Sequence, residues 1–247
     1  MNMLLFSSLS ERFYKAFFYQ DRWKLYFEGL GNTLLIAALA AVIGITIGVL
    51  LAMVNYVYKK TGRLMILSRI ANFYIAIIRG TPVVLQLMIM YFIVFVGWDN
   101  GIMIGAITFG LNSGAYVAEI ARAGFESVDD GQMEAGRALG LSTMQTMGSI
   151  ITPQAVRNCL PPLFNEFIML VKETAVVGYV GIMDLGKIPG IIQSRTLDYL
   201  FPLIIAAVLY LIVVLLLTQV LRMIEKRLAR GDRDRGTVPS ARGGKRA

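Results

Sequence analysis

The sequence predicts an all-α integral membrane protein with about five transmembrane helices. Of its 247 residues, 56% are hydrophobic and only 16% are charged, and the mean hydropathy is +0.64. A soluble domain of this length needs more polar surface than this composition supplies. Several apolar runs reach the roughly 20 residues that a helix needs to cross the hydrocarbon core of a bilayer. The chain therefore forms one membrane domain.

Four of the predicted spans are largely apolar runs. They cover residues 30–57, 102–121, 159–180 and 200–221. The run at 159–180 differs from the others because polar and charged residues interrupt it. These are Asn165, Glu166, Lys172 and Glu173.

The remaining span, residues 64–96, is too long for one straight crossing, because a helix of that length would measure about 50 Å. Gly80, Thr81 and Pro82 interrupt it, and proline both lacks a backbone donor and disfavours helix at the preceding residue. We predict a partly interfacial first half, a break at residues 80–82 and a second half that completes one crossing. Five spans result, with six as the alternative.

Basic residues are concentrated beside the apolar runs. Residues 222–247 contain nine Lys and Arg against three acidic residues, and residues 59–69 contain four with no acidic residue. Positive-inside sorting explains such patches better than nucleic-acid binding does, so both patches are expected in the cytoplasm. Five spans then place residues 1–29 outside as an extracytoplasmic segment. Residues 30–222 form the transmembrane domain, and residues 223–247 form a basic cytoplasmic tail that we expect to be disordered.

The residue composition argues against an enzymatic function. The chain has no His and a single Cys, so the commonest metal ligand and general base is missing and no metal site is predicted. Glu119 and Glu166 could in principle act as acid and base. Residues 181–187, GIMDLGK, match the start of a phosphate-binding loop. We reject that match, because Ile188 replaces the required Ser or Thr and no strand precedes it.

Residues 127–153 form a polar loop with the pattern of two short helices. Asp129 followed by Gln132 predicts a capped helix start, and Gly140 predicts a left-handed helix end. Ser142 and Gln145 predict a second capping box, whose helix should run until Pro153 limits it. Taken alone, this pattern also fits a solvated connector or a helix-turn-helix.

Four motifs resemble one family of membrane transporters. EAGRALG at 134–140, followed by IITPQA at 150–155, resembles the EAA loop of the permease subunits of ATP-binding-cassette importers. Gly136 stands where a second alanine is usual, and Thr152 where leucine is usual. RGTP at 79–82 with Gln86, AYVAEIARAG at 115–124 and NEFIMLVKET at 165–174 resemble runs of the permeases that import polar amino acids. The resemblance covers roughly residues 29–221 and implies a type I importer fold.

The resemblance implies that this chain and a separate ATPase subunit carry out different steps of transport. The loop at 127–153 becomes the coupling element on which a cytoplasmic ATPase docks, with four expected contact residues, Glu134, Ala135, Gly140 and Pro153. ATP and Mg would be bound by a dimer of ATPase subunits, and this chain would bind no cofactor. A second permease subunit, identical or homologous, and an extracytoplasmic solute-binding protein complete the assembly in a bacterial inner membrane. The transported amino acid and the identity of the second permease stay open.

Polar residues within the spans are the candidates for substrate binding, because charged groups in a bilayer usually face the bundle interior. Thr108, Asn112, Tyr116 and Glu119 are spaced four, four and three residues apart and share one helix face. We expect Glu119 to pair with Arg122. The candidates for a polar amino-acid site are Gln86, Asn112, Tyr116, Asn165, Glu166 and Lys172.

Two alternatives remain open for these residues. The buried charges could serve only to fix helix packing, through a Lys172–Glu173 network, or a polar stripe could line an ion channel. Separately, small residues repeat every four positions from Ala106 to Ala118, and Gly44 and Gly48 offer a second such surface. These residues predict close helix packing.

Overall fold

The computed structural model describes the backbone of residues 2–234 and the side chains of residues 8–228, and every regular element in this part of the chain is helical. The α-helices are, in chain order, α1 (Asn2–Phe17), α2 (Arg22–Thr61), α3 (Met65–Gly80), α4 (Val83–Ile89), α5 (Gly101–Glu126), α6 (Gly131–Ala138), α7 (Thr143–Thr146), α8 (Thr152–Glu173), α9 (Ile188–Thr196) and α10 (Leu200–Asp234). Short 3₁₀ or π-helical turns lie at Tyr19–Asp21, Met90–Val94, Met147–Ile151 and Thr174–Val180.

The centre of the bundle is the contact between α2 and α5, where small residues let two backbones approach closely. A Cβ added at Gly48 would lie 2.5 Å from the side chain of Val117, and one added at Gly110 would lie 2.6 Å from Ile43. Both distances are shorter than carbon atoms tolerate, so neither position accepts a larger residue without movement. The predicted close packing of the small residues is confirmed.

The predicted break between α3 and α4 is present. Thr81 (φ −123°, ψ 144°) and Pro82 (φ −63°, ψ 132°) are extended, and the helices on either side are bent by 106°. α3 crosses α5 on its way to the break, since the Tyr74 hydroxyl donates to the Leu111 carbonyl. The bend therefore sits against the middle of α5.

The prediction that a helix ends at Pro153 is wrong. Pro153 lies in the first turn of α8, where its missing N–H would have had no acceptor within the helix. The π-helical turn at Met147–Ile151 joins α7 to α8, so the chain stays helical through this region. α8 thus begins at Thr152 rather than at residue 159, and it ends at Glu173 rather than at residue 180.

Within residues 2–234, three helices are long and apolar enough to cross a membrane, and the bent pair α3–α4 makes a fourth if it counts as one span. The three are the α2 region at Tyr19–Thr61, α5 at Gly101–Glu126 and the α10 region at Leu200–Leu228. α8, which was expected to span, does not meet this criterion. Its charged residues are Arg157, Glu166, Lys172 and Glu173.

Both terminal segments contain more helix than predicted. α1 lies within the predicted N-terminal segment 1–29, and α2 begins inside that segment at Arg22. α10 continues to Asp234, so residues 223–234 of the expected disordered tail are helical. The rest of that predicted tail, residues 235–247, lies outside the described residues.

The two ends of the bundle can now be distinguished. We name the end that carries residues 127–153 the loop end, and the end where α8 finishes the opposite end. At the opposite end, α1 is fixed to the start of α10 by an ion pair between Arg12 and Asp198, with a nitrogen–oxygen distance of 2.8 Å. The rings of Phe13 and Phe201 meet edge to face beside this pair.

Candidate functional site

The loop at residues 127–153 turns through Gly140, whose φ of +82° lies in the left-handed region. Two backbone hydrogen bonds close this turn: the Gly140 amide donates to the Arg137 carbonyl at 3.0 Å, and the Leu141 amide donates to the Gly136 carbonyl at 3.1 Å. A residue with a Cβ pays a steric penalty at such a φ. The predicted left-handed helix end is confirmed.

One of the two predicted caps is present as expected. The Ser142 hydroxyl accepts from the Gln145 amide at 3.2 Å, and the Ser142 amide donates to the Gln145 side chain at 2.8 Å. The predicted cap at Asp129 is wrong by one position, because Asp130 occupies the cap position of α6 and makes no side-chain cap bond. The Asp129 carboxylate instead accepts from the Gly131 amide at 2.7 Å.

The inner face of the loop explains why glycine replaces the usual second alanine. Gly136 packs directly on Thr146, and a Cβ at Gly136 would overlap the Thr146 side chain. Thr146 is fully buried. This contact holds α6 against α7.

The outer face of the loop is exposed and partly apolar. Leu139 and Met144 flank the glycine turn and are 80% and 81% exposed, and Glu134 and Ala135 of α6 are exposed as well. An exposed apolar patch rimmed by polar residues is a candidate contact surface for another protein. We name these four residues the docking surface. Pro153, the remaining predicted coupling residue, is also exposed but belongs to the first turn of α8.

Sequence reasoning missed Leu139 and Met144. The available signal was a pair of large apolar residues on either side of a predicted glycine turn, inside an otherwise polar loop. Periodicity gave no reason to expect both side chains on the outside.

Inside the bundle, two predicted polar residues are joined directly. The Asn112 side-chain amide donates to the Gln86 side-chain oxygen at 3.0 Å. The Gln86 amide group in turn donates to the Ile78 carbonyl at 2.9 Å and to the Thr81 hydroxyl at 2.8 Å. Gln86 therefore connects the broken helix to the polar face of α5.

A second polar link joins α5 to α8 one residue further along. The hydroxyl of Ser113, which is buried, donates to the Glu166 carboxylate at 2.8 Å. Glu166 was a predicted site residue, but Ser113 was not, because nothing in the sequence separates it from the other small residues of that span. Asn112 and Ser113 thus form polar links at the same level of α5, one to α4 and the other to α8.

A charged cluster follows along α5 toward the loop end. The Arg79 guanidinium stacks over the Tyr116 ring at 5.4 Å from its centroid and lies 3.7 Å from the Glu119 carboxylate. Glu119 also pairs with Arg122 at 2.8 Å, which confirms that prediction. Arg79 entered the sequence analysis only as part of a motif, and the structure places it among the polar residues of α5.

The other two predicted substrate residues are not brought into these contacts. Asn165 and Lys172 are exposed on α8, and neither makes a side-chain hydrogen bond or ion pair within the part of the chain that the structure describes. The Lys172–Glu173 ion pair expected for a purely structural network is likewise absent from the described residues. These side chains point away from what this one chain encloses.

The rejected phosphate-loop match at residues 181–187 has a structural role instead. Asp184 is fully buried, and its carboxylate accepts from the Gly186 amide at 2.8 Å and the Lys187 amide at 2.9 Å. The Tyr210 hydroxyl donates to the same carboxylate at 3.3 Å. A loop whose amides already bind its own aspartate has none of those donors left for a phosphate.

Comparison with known proteins identifies the molecule that carries this loop and these polar links. Residues 44–230 match the family described as the binding-protein-dependent transport system inner membrane component. The chain belongs to this family. It is a multi-pass membrane permease and a transport component rather than an enzyme, and the ion-channel alternative is not supported.

Individual relatives of the permease agree with the family match. The chain is 44% identical over 204 residues to the putative glutamine transport system permease protein GlnP of Rickettsia bellii, a match that covers 81% of this chain and 91% of that protein. It is 39% identical over 208 residues to the arginine transport system permease protein ArtQ of Bacillus subtilis, covering 83% and 93%. A crystal structure of an amino acid ABC transporter with histidines superposes with a TM-score of 0.76 at 38% identity, covering 83% of this chain and 94% of that one.

Proposed function

We propose that this permease forms the translocation path for a polar amino acid and that a cytoplasmic ATPase drives it through the docking surface. The observation that carries the coupling is the pair of exposed apolar side chains, Leu139 and Met144, at the glycine turn. The substrate class rests on the names of the relatives, which are glutamine and arginine permeases. Two ATPase subunits, a second permease copy or homologue and an extracytoplasmic binding protein complete the importer.

The topology that fits this role has five spans in a bacterial inner membrane. The three long apolar helices supply three of them, the bent pair α3–α4 supplies one, and α8 supplies the fifth, with its charges turned toward the path and the partner permease. The loop end is then cytoplasmic, as is the C-terminus, and the N-terminus lies outside. The basic residues Lys59, Lys60 and Arg63 at the end of α2 agree with this orientation.

Coupling follows from the shape of the loop. Gly140 and the contact between Gly136 and Thr146 make the two short helices one rigid piece, so the piece moves as a unit when the surface beneath it moves. The apolar pair Leu139 and Met144 would be buried against the ATPase. This burial supplies most of the affinity of the permease for the ATPase. ATP-driven closure of the ATPase then shifts the loop and, through α5 and α8, alternates access to the path.

The binding chemistry lies on the polar face of α5 and its partners. A zwitterion needs an anion for its ammonium group and donors for its carboxylate. Glu166, held by Ser113 at 2.8 Å, is suited to the first task, and Asn112 and Gln86 are suited to orienting the substrate. Tyr116, Asn165 and Lys172 complete the proposed site from the uncovered surfaces of α5 and α8, where a second permease subunit packs.

The test is co-purification of the tagged full chain from native membranes, with mass spectrometry of the proteins that remain bound. We expect a soluble P-loop ATPase to co-purify and to be lost when Leu139 and Met144 are both changed to Asp. A matched control is Leu197→Asp, because Leu197 is 86% exposed but lies at the opposite end. A folded double variant that keeps the ATPase, or a wild-type chain that binds none, would contradict the proposal.

A further inference from the structure

A cavity of about 330 Å³ lies at the loop end, between the last turns of α2 and α5 and the inner side of the loop. Its volume is at the lower end of the range of pockets that bind small molecules, about 300–1,000 Å³. The walls are mainly apolar, with the rings of Tyr56 and Phe125 in contact at 5.5 Å. No role assigned so far uses this cavity.

The cavity lies behind the docking surface rather than on it. Met133 and Met147 of the loop line the cavity, whereas Leu139 and Met144 are exposed on the other side. An ATPase seated on the docking surface would leave the cavity free. A ligand inside the cavity would touch both the loop and the helix ends against which the loop must move.

The positive and negative charges that line the cavity balance each other, and only some of these groups form ion pairs. Lys59 and Arg122 both pair with Glu126, at 3.0 Å and 2.6 Å. Three further charged residues line the cavity without an ion pair among the described residues. They are Lys60 on α2 and Asp129 and Asp130 at the start of α6.

This arrangement selects a small zwitterion. In the described part of the chain, the Lys60 ammonium and the Asp130 carboxylate line the same cavity without an ion pair there, and Asp129 accepts only from the Gly131 amide, so a ligand that carries both a carboxylate and an ammonium group can pair with both kinds of charge. A purely anionic ligand would face Asp129 and Asp130, and like charges brought together in a pocket are unfavourable. Balanced charge therefore argues against an inorganic phosphate or an anionic lipid.

We infer that the cavity is a regulatory site for a cytoplasmic amino acid, a site that slows transport when its product accumulates. The inference rests on the proposed function, which places the loop end in the cytoplasm. The amino-acid carboxylate pairs with Lys60, its ammonium group pairs with Asp129 or Asp130, and its side chain lies on Tyr56 and Phe125. Bound in this way, the ligand ties α6 to α2 and resists the loop movement that transport requires.

The test uses the full importer in vesicles of phosphatidylcholine and phosphatidylglycerol, with the binding protein and labelled amino acid on one side and ATP on the other. Millimolar L-glutamine or L-arginine added to the ATPase side should lower the wild-type transport rate at least about fivefold, a typical allosteric effect. In Lys60→Gln the same addition should have little effect while transport without it continues. Asp130→Asn should weaken the inhibition as well.

The matched control is Arg63→Gln, which removes a basic residue at the same end that does not line the cavity, and it should stay fully inhibited. Equal inhibition of wild type and Lys60→Gln would overturn the inference while leaving the proposed function intact, and absence of ATP-driven transport would overturn the proposed function itself. Phosphatidylethanolamine carries a zwitterionic headgroup too. If adding that lipid alone slows the wild type but not Lys60→Gln, the cavity belongs to a lipid and the amino-acid inference fails.

Discussion

The loops at the two ends of the bundle, residues 181–187 and residues 127–153, use their side chains in opposite ways. The loop at 181–187 turns inward, so that the fully buried Asp184 accepts hydrogen bonds from its own backbone and from Tyr210. The loop at 127–153 buries Gly136 and Thr146 and leaves Leu139 and Met144 outside. A loop whose polar groups bind one another stabilises the fold, whereas exposed apolar side chains make a loop suited to binding a partner.

The largest expected effect comes from removing the buried Asp184 carboxylate from the loop at 181–187. Asp184→Ala should destabilise the protein by about 3 kcal/mol, because the Gly186 and Lys187 amides and the Tyr210 hydroxyl lose one shared, buried acceptor. Thermal unfolding of the detergent-solubilised chain measures this loss. The matched control is Glu134→Ala, which removes an exposed carboxylate from the other loop and should change stability by less than about 0.5 kcal/mol. Equal losses in the two variants would remove the distinction between the loops.

A smaller effect on stability, but a large one on transport, is expected at the glycine turn. Gly140→Val places a β-branched residue at φ +82°, which costs about 1–2 kcal/mol locally and displaces the docking surface. ATPase co-purification and amino-acid uptake should both fall while the solubilised chain stays folded.

Gly140→Asn is the companion variant, because asparagine tolerates the left-handed region far better. It should retain most of the uptake. Normal uptake in Gly140→Val, or equal loss in both variants, would show that the turn conformation does not matter for coupling.

The smallest expected effect lies at the opposite end and depends on pH. The hydrogen bond from Arg12 lowers the pKa of Asp198, so the pair stabilises the folded chain at neutral pH and its contribution disappears as pH falls through the lowered pKa. Arg12→Gln should therefore melt slightly earlier than wild type at pH 7, with a difference that shrinks below about pH 4. Melting curves across this range test the expectation, and a pH-independent difference would contradict it.

Much of the fold could be predicted from sequence because its signals are local. The break at Thr81 and Pro82, the left-handed Gly140 and the capping box of Ser142 each depend on a few adjacent residues, and each is present. Pro153 misled the prediction, because a proline fits the first turn of a helix as well as it ends one.

The polar links of the site depend on contacts between distant segments, which no local pattern encodes. Ser113 reaches Glu166 only because α5 and α8 pack at that level. Arg79 reaches Glu119 only because α3 packs across α5. The family motifs marked the right segments, but the pairing of their residues needed the fold.

The length of α2 has a mechanical consequence. Its 40 residues make a rod about 60 Å long, twice the roughly 30 Å of the hydrocarbon core. One tip lies beside Glu126 of the loop end through Lys59, and the other portion receives the 181–187 loop at Thr33. A rod of that length acts as a lever: a tilt of about 10° displaces one tip relative to the other by about 10 Å. A small tilt of α2 that starts at the loop end therefore becomes a large displacement at the opposite end.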